Sequence, residues 1–439
     1  MNIKMSSSRR IRTTGSSRRS SSLPDSRLAG GGALNHTTQV RYPIVITLLI
    51  LGLRGAAAAD FQFRHHFIES DLPVRDKTVG DYGLTALVDL DGDRDLDFVL
   101  GGRPVKPSTL YWFEFQAPDH WTQHVVGTNY LSDVGLAPLD VDRDGAMDLV
   151  CSGVWFRNTG RPREPFTRHM FDDKAAGAHD ILTSDIDRDG QLDVVMMGDE
   201  RTQLNLLCWY SIPADPMRPW IRHPIGPPVH GAITPAGAGD LDGDGDIDIA
   251  RADTWFENVD GKGGQWTPHA NMPMGRKGPF GVCVRTAIVD MDGDGKAEIV
   301  VVDADITDSK VVVLKNSDGK GGRWEKIAVP QSFSCGSLHA LAVGDANGDG
   351  RPDIISNEQE ELLPAGRENP RWIAWENLGG LKFREQIILD TKLGGHELQV
   401  GDVDQDGDLD ICSKPWGPRA WNGRGGRMHV DFLENRQKR

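Results

Sequence analysis

The sequence predicts an all-β fold, a seven-bladed β-propeller, on three observations. A nine-residue acidic cassette occurs seven times, as DLDGDRDLD from Asp89, DVDRDGAMD from Asp140, DIDRDGQLD from Asp185, DLDGDGDID from Asp240, DMDGDGKAE from Asp290, DANGDGRPD from Asp345 and DVDQDGDLD from Asp402. Successive cassettes start 51, 45, 55, 50, 55 and 57 residues apart, the length of one four-stranded blade. The flanks are β-branched and strand-like, as in LTALVDLD, LDFVL, RTAIVDMD and AEIVVVD.

Ahead of the repeats, residues 1–42 are rich in Ser and Arg, with Asp25 as their single acidic residue, and lack the apolar content to fold. Residues 43–53 form an apolar run of eleven residues, followed by Ala57, Ala58 and Ala59. Such a run is short for a membrane span, so it reads as a signal peptide cleaved after Ala59; a retained anchor is the alternative that its length disfavours. The expected organisation is a basic leader with signal peptide over 1–59 and one propeller over 60–439, in a secreted, periplasmic or cell-surface location.

Within each blade the cassette should join the innermost strand to the second. The third strand carries aromatics, as in Trp112-Phe113-Glu114, Trp155-Phe156, Trp255-Phe256 and Trp375-Glu376-Asn377, which should pack between blades, while Asn, Asp and Gly shape the hairpins that follow. The outer strand opens on an aromatic at Trp121, Phe166, Trp220, Trp266, Trp324 and Phe383, which makes six. The seventh pattern, Phe63-RHHFI, lies at the other end of the chain, and the last blade has its third strand at Met428 to Asn435 with none after it. The N-terminal strand should therefore complete blade 7 and close the ring, removing two sheet edges. His65 or His66, His124, His169, His223 and His269 belong to this outer pattern and read as structural.

The cassette presents oxygen ligands at its first, third, fifth and ninth positions. These are Asp89, Asp91, Asp93 and Asp97; Asp140, Asp142, Asp144 and Asp148; Asp185, Asp187, Asp189 and Asp193; Asp240, Asp242, Asp244 and Asp248; Asp290, Asp292, Asp294 and Glu298; Asp345, Asn347, Asp349 and Asp353; and Asp402, Asp404, Asp406 and Asp410. Hard oxygen donors at this density, with Gly usual at position 6, describe a calcium loop, so up to seven structural Ca²⁺ are expected. An EF-hand needs a bidentate Glu at position 12, where this chain has Leu100, Cys151, Met196, Arg251, Val301, Ser356 and Ser413. Blade 1 has Arg94 at the glycine position and blade 6 has Asn347 for a carboxylate, which should weaken both loops.

Together with AGAGDLDGDGDID, AVGDANGDGRPD, QVGDVDQDGDLD and Phe280-Gly281, the cassettes resemble the FG-GAP or VCBS repeats of integrin α heads and many bacterial extracellular proteins. The resemblance spans residues 61 to 435 and implies a calcium-binding propeller; it is silent on activity.

Removing residues 1–59 takes away nine basic residues and Asp25, leaving 40 basic and 63 acidic residues and a net charge of −23. Much of that acidity sits in the cassettes, and it excludes nucleic acid as an expected partner. Of the five cysteines, Cys283 and Cys335 precede inner strands of neighbouring blades and are the pair expected to form any disulfide. Cys151, Cys208 and Cys412 lie in strand-like runs and read as buried apolar residues.

Six residues before each cassette stand Gly83, Val134, His179, Thr234, Val284, His339 and His396. Three histidines at one structural position should converge on the channel mouth, opposite the acidic loops. With Tyr82 and Arg285 they form the candidate catalytic set; His230, Asp133, Lys106, Arg251, Glu358, Lys414 and Trp416 are candidate substrate-binding residues. The His cluster is also a candidate transition-metal site. Two functions follow: a carbohydrate lyase or dehydratase working by proton abstraction, or a non-catalytic carbohydrate- or protein-binding propeller. The first resembles the propeller domain of fungal aldos-2-ulose dehydratase, although this chain lacks a cupin domain, and more distantly propeller polysaccharide lyases.

Overall fold

The computed structural model describes residues 60–73, 82–103, 108–417 and 425–437. The leader and signal-peptide reading, and Lys106, lie outside the described residues. Among the described residues no helix is long and apolar enough to cross a membrane.

Seven blade sheets follow in chain order, six of four antiparallel strands and one, blade 5, in which Pro235–Ala236 adds a fifth strand parallel to Val284–Val289. Blade 1 is Tyr82–Val88, Asp97–Gly102, Thr109–Ala117 and His120–Thr128; blade 3 is Asp180–Ser184, Asp193–Met197, Leu207–Ser211 and Ile221–Gly226. In every blade the acidic loop joins the innermost strand to the second. Blade 7 is built from Glu397–Gly401, Asp410–Lys414 and Met428–Asn435, and its outer strand is the N-terminal Phe63–Leu72, paired antiparallel with Met428–Asn435 from Phe63 against Asn435 to Leu72 against Met428. The expected closure is present. Its physical reason is that a ring with a free outer edge leaves a row of unpaired backbone groups.

The acidic loops turn through two left-handed residues. At position 6, Gly145, Gly190, Gly245, Gly295, Gly350 and Gly407 have φ between 82° and 91°, and Arg94 is held at 86°. Position 4 is left-handed too, and there Arg143, Arg188 and Gln405 stand at φ of 58° to 62° alongside glycines in the other blades.

The asparagines ending the third strands are more than hairpin residues. Asn258 donates through Nδ2 to the Ile186 carbonyl of the preceding blade's acidic loop at 3.0 Å, and the same bond joins Asn158 to Leu90, Asn316 to Leu241, Asn377 to Met291 and Asn435 to Ala346. Third-strand tryptophans add a second tie, since Trp209 and Trp255 donate their indole N–H to the Gly263 and Gly321 carbonyls of the following blade's turn. The outer-strand histidines stack across the strand pair on these rings: Trp112 with His124, Trp155 with His169, Trp209 with His223 and Trp255 with His269, at 4.0 to 4.9 Å between centroids.

All five cysteines are buried free thiols. The expected Cys283–Cys335 disulfide does not form: the two residues sit in separate packing environments, Cys335 within the blade 5–6 core and Cys283 beside His179 and Asp305.

Candidate functional site

Each acidic loop is tied to its own backbone by two carboxylates. The position 1 carboxylate accepts the position 6 N–H at 2.8 to 3.1 Å in all seven loops. The position 9 carboxylate accepts the position 2 N–H at 2.9 to 3.1 Å. Burial, reinforced by repulsion from the other loop carboxylates, pushes the position 9 groups up to about 7 or 8. Carboxylate oxygens of positions 1, 3 and 9 lie within 4.8 Å of one another in blades 1, 2 and 3. Several buried loop oxygens, Asp91 Oδ1, Asp142 Oδ1, Asp292 Oδ1 and Glu298 Oε1 among them, have no hydrogen-bond partner. Converging, desolvated, unpartnered oxygens suit a hard divalent cation. In blades 2 and 5 the chain also sets its own cation there: Arg157 pairs with Asp142 and Asp144, and Lys315 with Asp292 and Asp294. Nothing in the local cassette pattern signalled those two.

On the opposite face a cavity of about 550 Å³ opens at the channel mouth. His179, His339 and His396 meet there, only 2 to 4% exposed. His179 and His396 are fixed by their backbone N–H groups, which donate to the Met197 and Lys414 carbonyls at 2.9 and 2.8 Å. His339 stacks on His396 at 3.7 Å, His396 on Trp416 at 4.2 Å, and His179 lies 6.4 Å from His339. His179 also borders a smaller cavity, about 240 Å³, running down the channel. The three histidines are therefore packed and buried at the mouth, with His179 facing both cavities.

Behind these histidines Arg285 is buried and fully engaged. It donates to Glu397 Oε1 at 2.7 Å, His339 Nδ1 at 3.0 Å, the His339 carbonyl at 2.9 Å, Thr234 Oγ1 at 2.8 Å and Asp180 Oδ1 at 3.3 Å. Asp180 accepts from His179 Nδ1 at 2.8 Å and from the Ala232 and Ile233 N–H groups. Burial works against a charged His179, but the hydrogen bond and charge of Asp180 outweigh it and raise its basicity. His396 goes the other way, pressed well below the ordinary histidine range by burial and by His339, Lys414 and Arg285 around it. His230 is pulled down to about 4 by burial and by His179. Burial, with repulsion from Arg103 and Arg285, brings the Lys414 amine down to about 7 against the pull of Glu397 and Glu360.

Of the other sequence candidates, Asp133, His230 and Trp416 line the mouth cavity. Asp133 pairs with Arg103, which covers the Trp416 ring at 4.6 Å. The remainder sit elsewhere. The Tyr82 hydroxyl donates to the Pro73 carbonyl at 3.0 Å and does not line the cavity. Lys414 is buried beneath it, donating to the Tyr82 carbonyl at 2.6 Å. Glu358 is buried against Arg367 and the Gly336 and Arg371 N–H groups, and Arg251 against the Pro227 carbonyl and the Phe256 ring. Tyr82, Lys414 and Arg251 end strands and Glu358 follows one, and each is held by partners inside the fold rather than presented to the mouth. The cavity instead draws on Asp199, Arg201 and Asp305, and on Phe280 in a short hairpin over its edge, 51% exposed.

Residues 89–151, 290–356 and 358–413 match the family model described as an FG-GAP-like repeat. No curated protein matches the chain at a significant level.

Proposed function

This chain is a seven-bladed β-propeller of FG-GAP-like repeats, and from that premise we propose that the mouth cavity performs acid–base chemistry on a small polar ligand of the carbohydrate class. The observation that carries this is the opposite displacement of two imidazoles in one cavity, His179 toward the charged form and His396 toward the neutral form. Titratable groups pushed apart by their surroundings mark acid and base roles. In an elimination, His396 removes the proton next to a carbonyl or carboxylate. The C–H electrons form the new double bond, the C–O bond breaks, and His179 returns a proton to the leaving oxygen. Arg103 and Arg201, which line the cavity, would stabilise the enolate-like charge; Arg285 lies behind His339 and acts by holding the histidines.

The cavity volume falls in the range of small-molecule sites, and Phe280 offers a face for an apolar ring surface. The acidic loops, in this reading, hold structural Ca²⁺ away from the chemistry, and the leader directs the chain out of the cell. A binding-only propeller would be favoured by a flat aromatic surface; the large hydrophobics exposed among the described residues are scattered, with Phe280 the single aromatic among them.

The test is elimination, or deuterium uptake from solvent, on a panel of uronic and keto sugars with calcium-saturated protein. His396→Gln and His179→Gln should each cost on the order of 10²- to 10⁴-fold. Turnover indifferent to both substitutions, or no turnover and no exchange across the panel, sinks the acid–base reading.

A further inference from the structure

One wall of the mouth cavity holds a second cluster that the acid–base reading does not use. A ring nitrogen of His230, Cys283 Sγ and a carboxylate oxygen of Asp305 lie within 4.8 Å of one another. We propose that His230, Cys283 and Asp305 form a binding site for a borderline-soft divalent transition metal, Zn²⁺ foremost, with one coordination position open to the cavity.

Four observations converge. His230 Nε2 stands 3.5 Å from Asp305 Oδ2, too far for a hydrogen bond. Two ligand atoms each about 2.0 to 2.2 Å from a tetrahedral metal stand roughly 3.4 Å apart. Asp305 is buried and its Oδ2 has no hydrogen-bond partner, an orphan facing His230. The other face of the imidazole is already set: His230 Nδ1 lies 2.6 Å from Asp199 Oδ2, and Asp199 is gripped by Arg201. Arg201 Nη2 also approaches Nδ1 at 2.9 Å, but the carboxylate is nearer and can only accept, so Nδ1 carries the proton and Nε2 presents its lone pair to Asp305. A carboxylate behind a histidine is the usual support for a metal-bound imidazole. Finally, Gly231 makes room, since a Cβ there would come within 2.7 Å of the His179 ring and 3.3 Å of Cys283 Sγ.

The charges balance. Binding converts the Cys283 thiol to a thiolate and releases its proton to solvent, so one thiolate and one carboxylate neutralise a divalent ion. The three-histidine layer is a poorer host, because two of its Nδ1 atoms already face the cationic donors Arg285 and Lys414. His230 and Asp305 both line the cavity, which leaves the fourth position toward a ligand. This site is independent of the elimination chemistry, and its test reads metal rather than turnover.

The experiment titrates Co²⁺ into the full chain kept in excess Ca²⁺, so that the acidic loops are filled with the harder ion. We expect saturation at one Co²⁺ per chain with a thiolate-to-cobalt charge-transfer band in the near ultraviolet. Cys283→Ser should abolish the band and Cys151→Ser, a buried thiol elsewhere, should keep it. Asp199→Asn should weaken Co²⁺ binding about 10- to 100-fold. Should Cys283→Ser not fold, His230→Gln on the cavity wall replaces it, with a melting curve confirming the fold. No charge-transfer band in the unaltered protein, or a band that survives Cys283→Ser or is unchanged in His230→Gln, overturns the proposal.

Discussion

Replacing Asn258 by Ala should destabilise the propeller by severing one blade from its neighbour. Asn258 is fully buried; its Nδ2 donates to Ile186 O at 3.0 Å in the blade 3 loop, and its Oδ1 accepts the Gly263 N–H at 2.8 Å. Alanine strands both backbone groups in a dry interface, and each buried group left unpaired costs about 1 to 3 kcal/mol, so a loss of roughly 2 to 6 kcal/mol is expected. With an unfolding entropy of about 2.1 cal/mol/K per residue over about 380 residues, that lowers Tm by roughly 3 to 8 °C. Asn258→Asp keeps the acceptor for Gly263 but sets a carboxylate against the Ile186 carbonyl, and should be no better tolerated. Thermal unfolding in saturating calcium reads the effect. A shift under about 1 °C for Asn258→Ala would show that the two bonds are replaced by water and that the inter-blade tie is not a stabilising element.

Chelating calcium should lower Tm substantially, because each filled site adds about 2.7 kcal/mol at a hundredfold excess over its Kd; an unchanged curve with calcium verifiably removed defeats the loop assignment. Arg94→Gly should raise stability by roughly 0.5 to 1 kcal/mol, since Arg94 holds a φ of 86° that glycine adopts in the other six loops and the relief exceeds glycine's added chain entropy; a loss of stability in denaturant melts would contradict it. Lys414→Met should stabilise more at pH 6 than at pH 10. The folded amine is lowered to about 7 from 10.5, so between those values the unfolded chain binds a proton the folded one does not, and stability climbs with pH. Equal gains at the two pH values would show that the amine is not held neutral.

The recurring cassette determined the architecture because a propeller blade is a local object. Its four strands lie within about fifty residues, and period, turn residues and strand flanks are all read along the chain. Ring closure was legible for the same reason: six outer strands followed their blades and the seventh pattern appeared at Phe63. The three histidines were legible because one position in a repeated unit maps to one place around an axis. What the sequence could not assign were contacts whose partners lie in different blades or depend on which way a side chain turns. Asn258 and Ile186 are 72 residues apart, and only the angle between neighbouring sheets brings them together. Arg251 and Lys414 end strands and Glu358 follows one, yet none of them lines the mouth cavity, because partners inside the blades hold their side chains. The place of Cys283 in the repeat suits a disulfide, and the tertiary structure puts it beside His230 and Asp305 instead. Periodicity fixes where a backbone position falls around the axis; which neighbours a side chain meets there is decided by packing between blades, where the desolvation of each polar group has to be matched by a partner from another part of the chain.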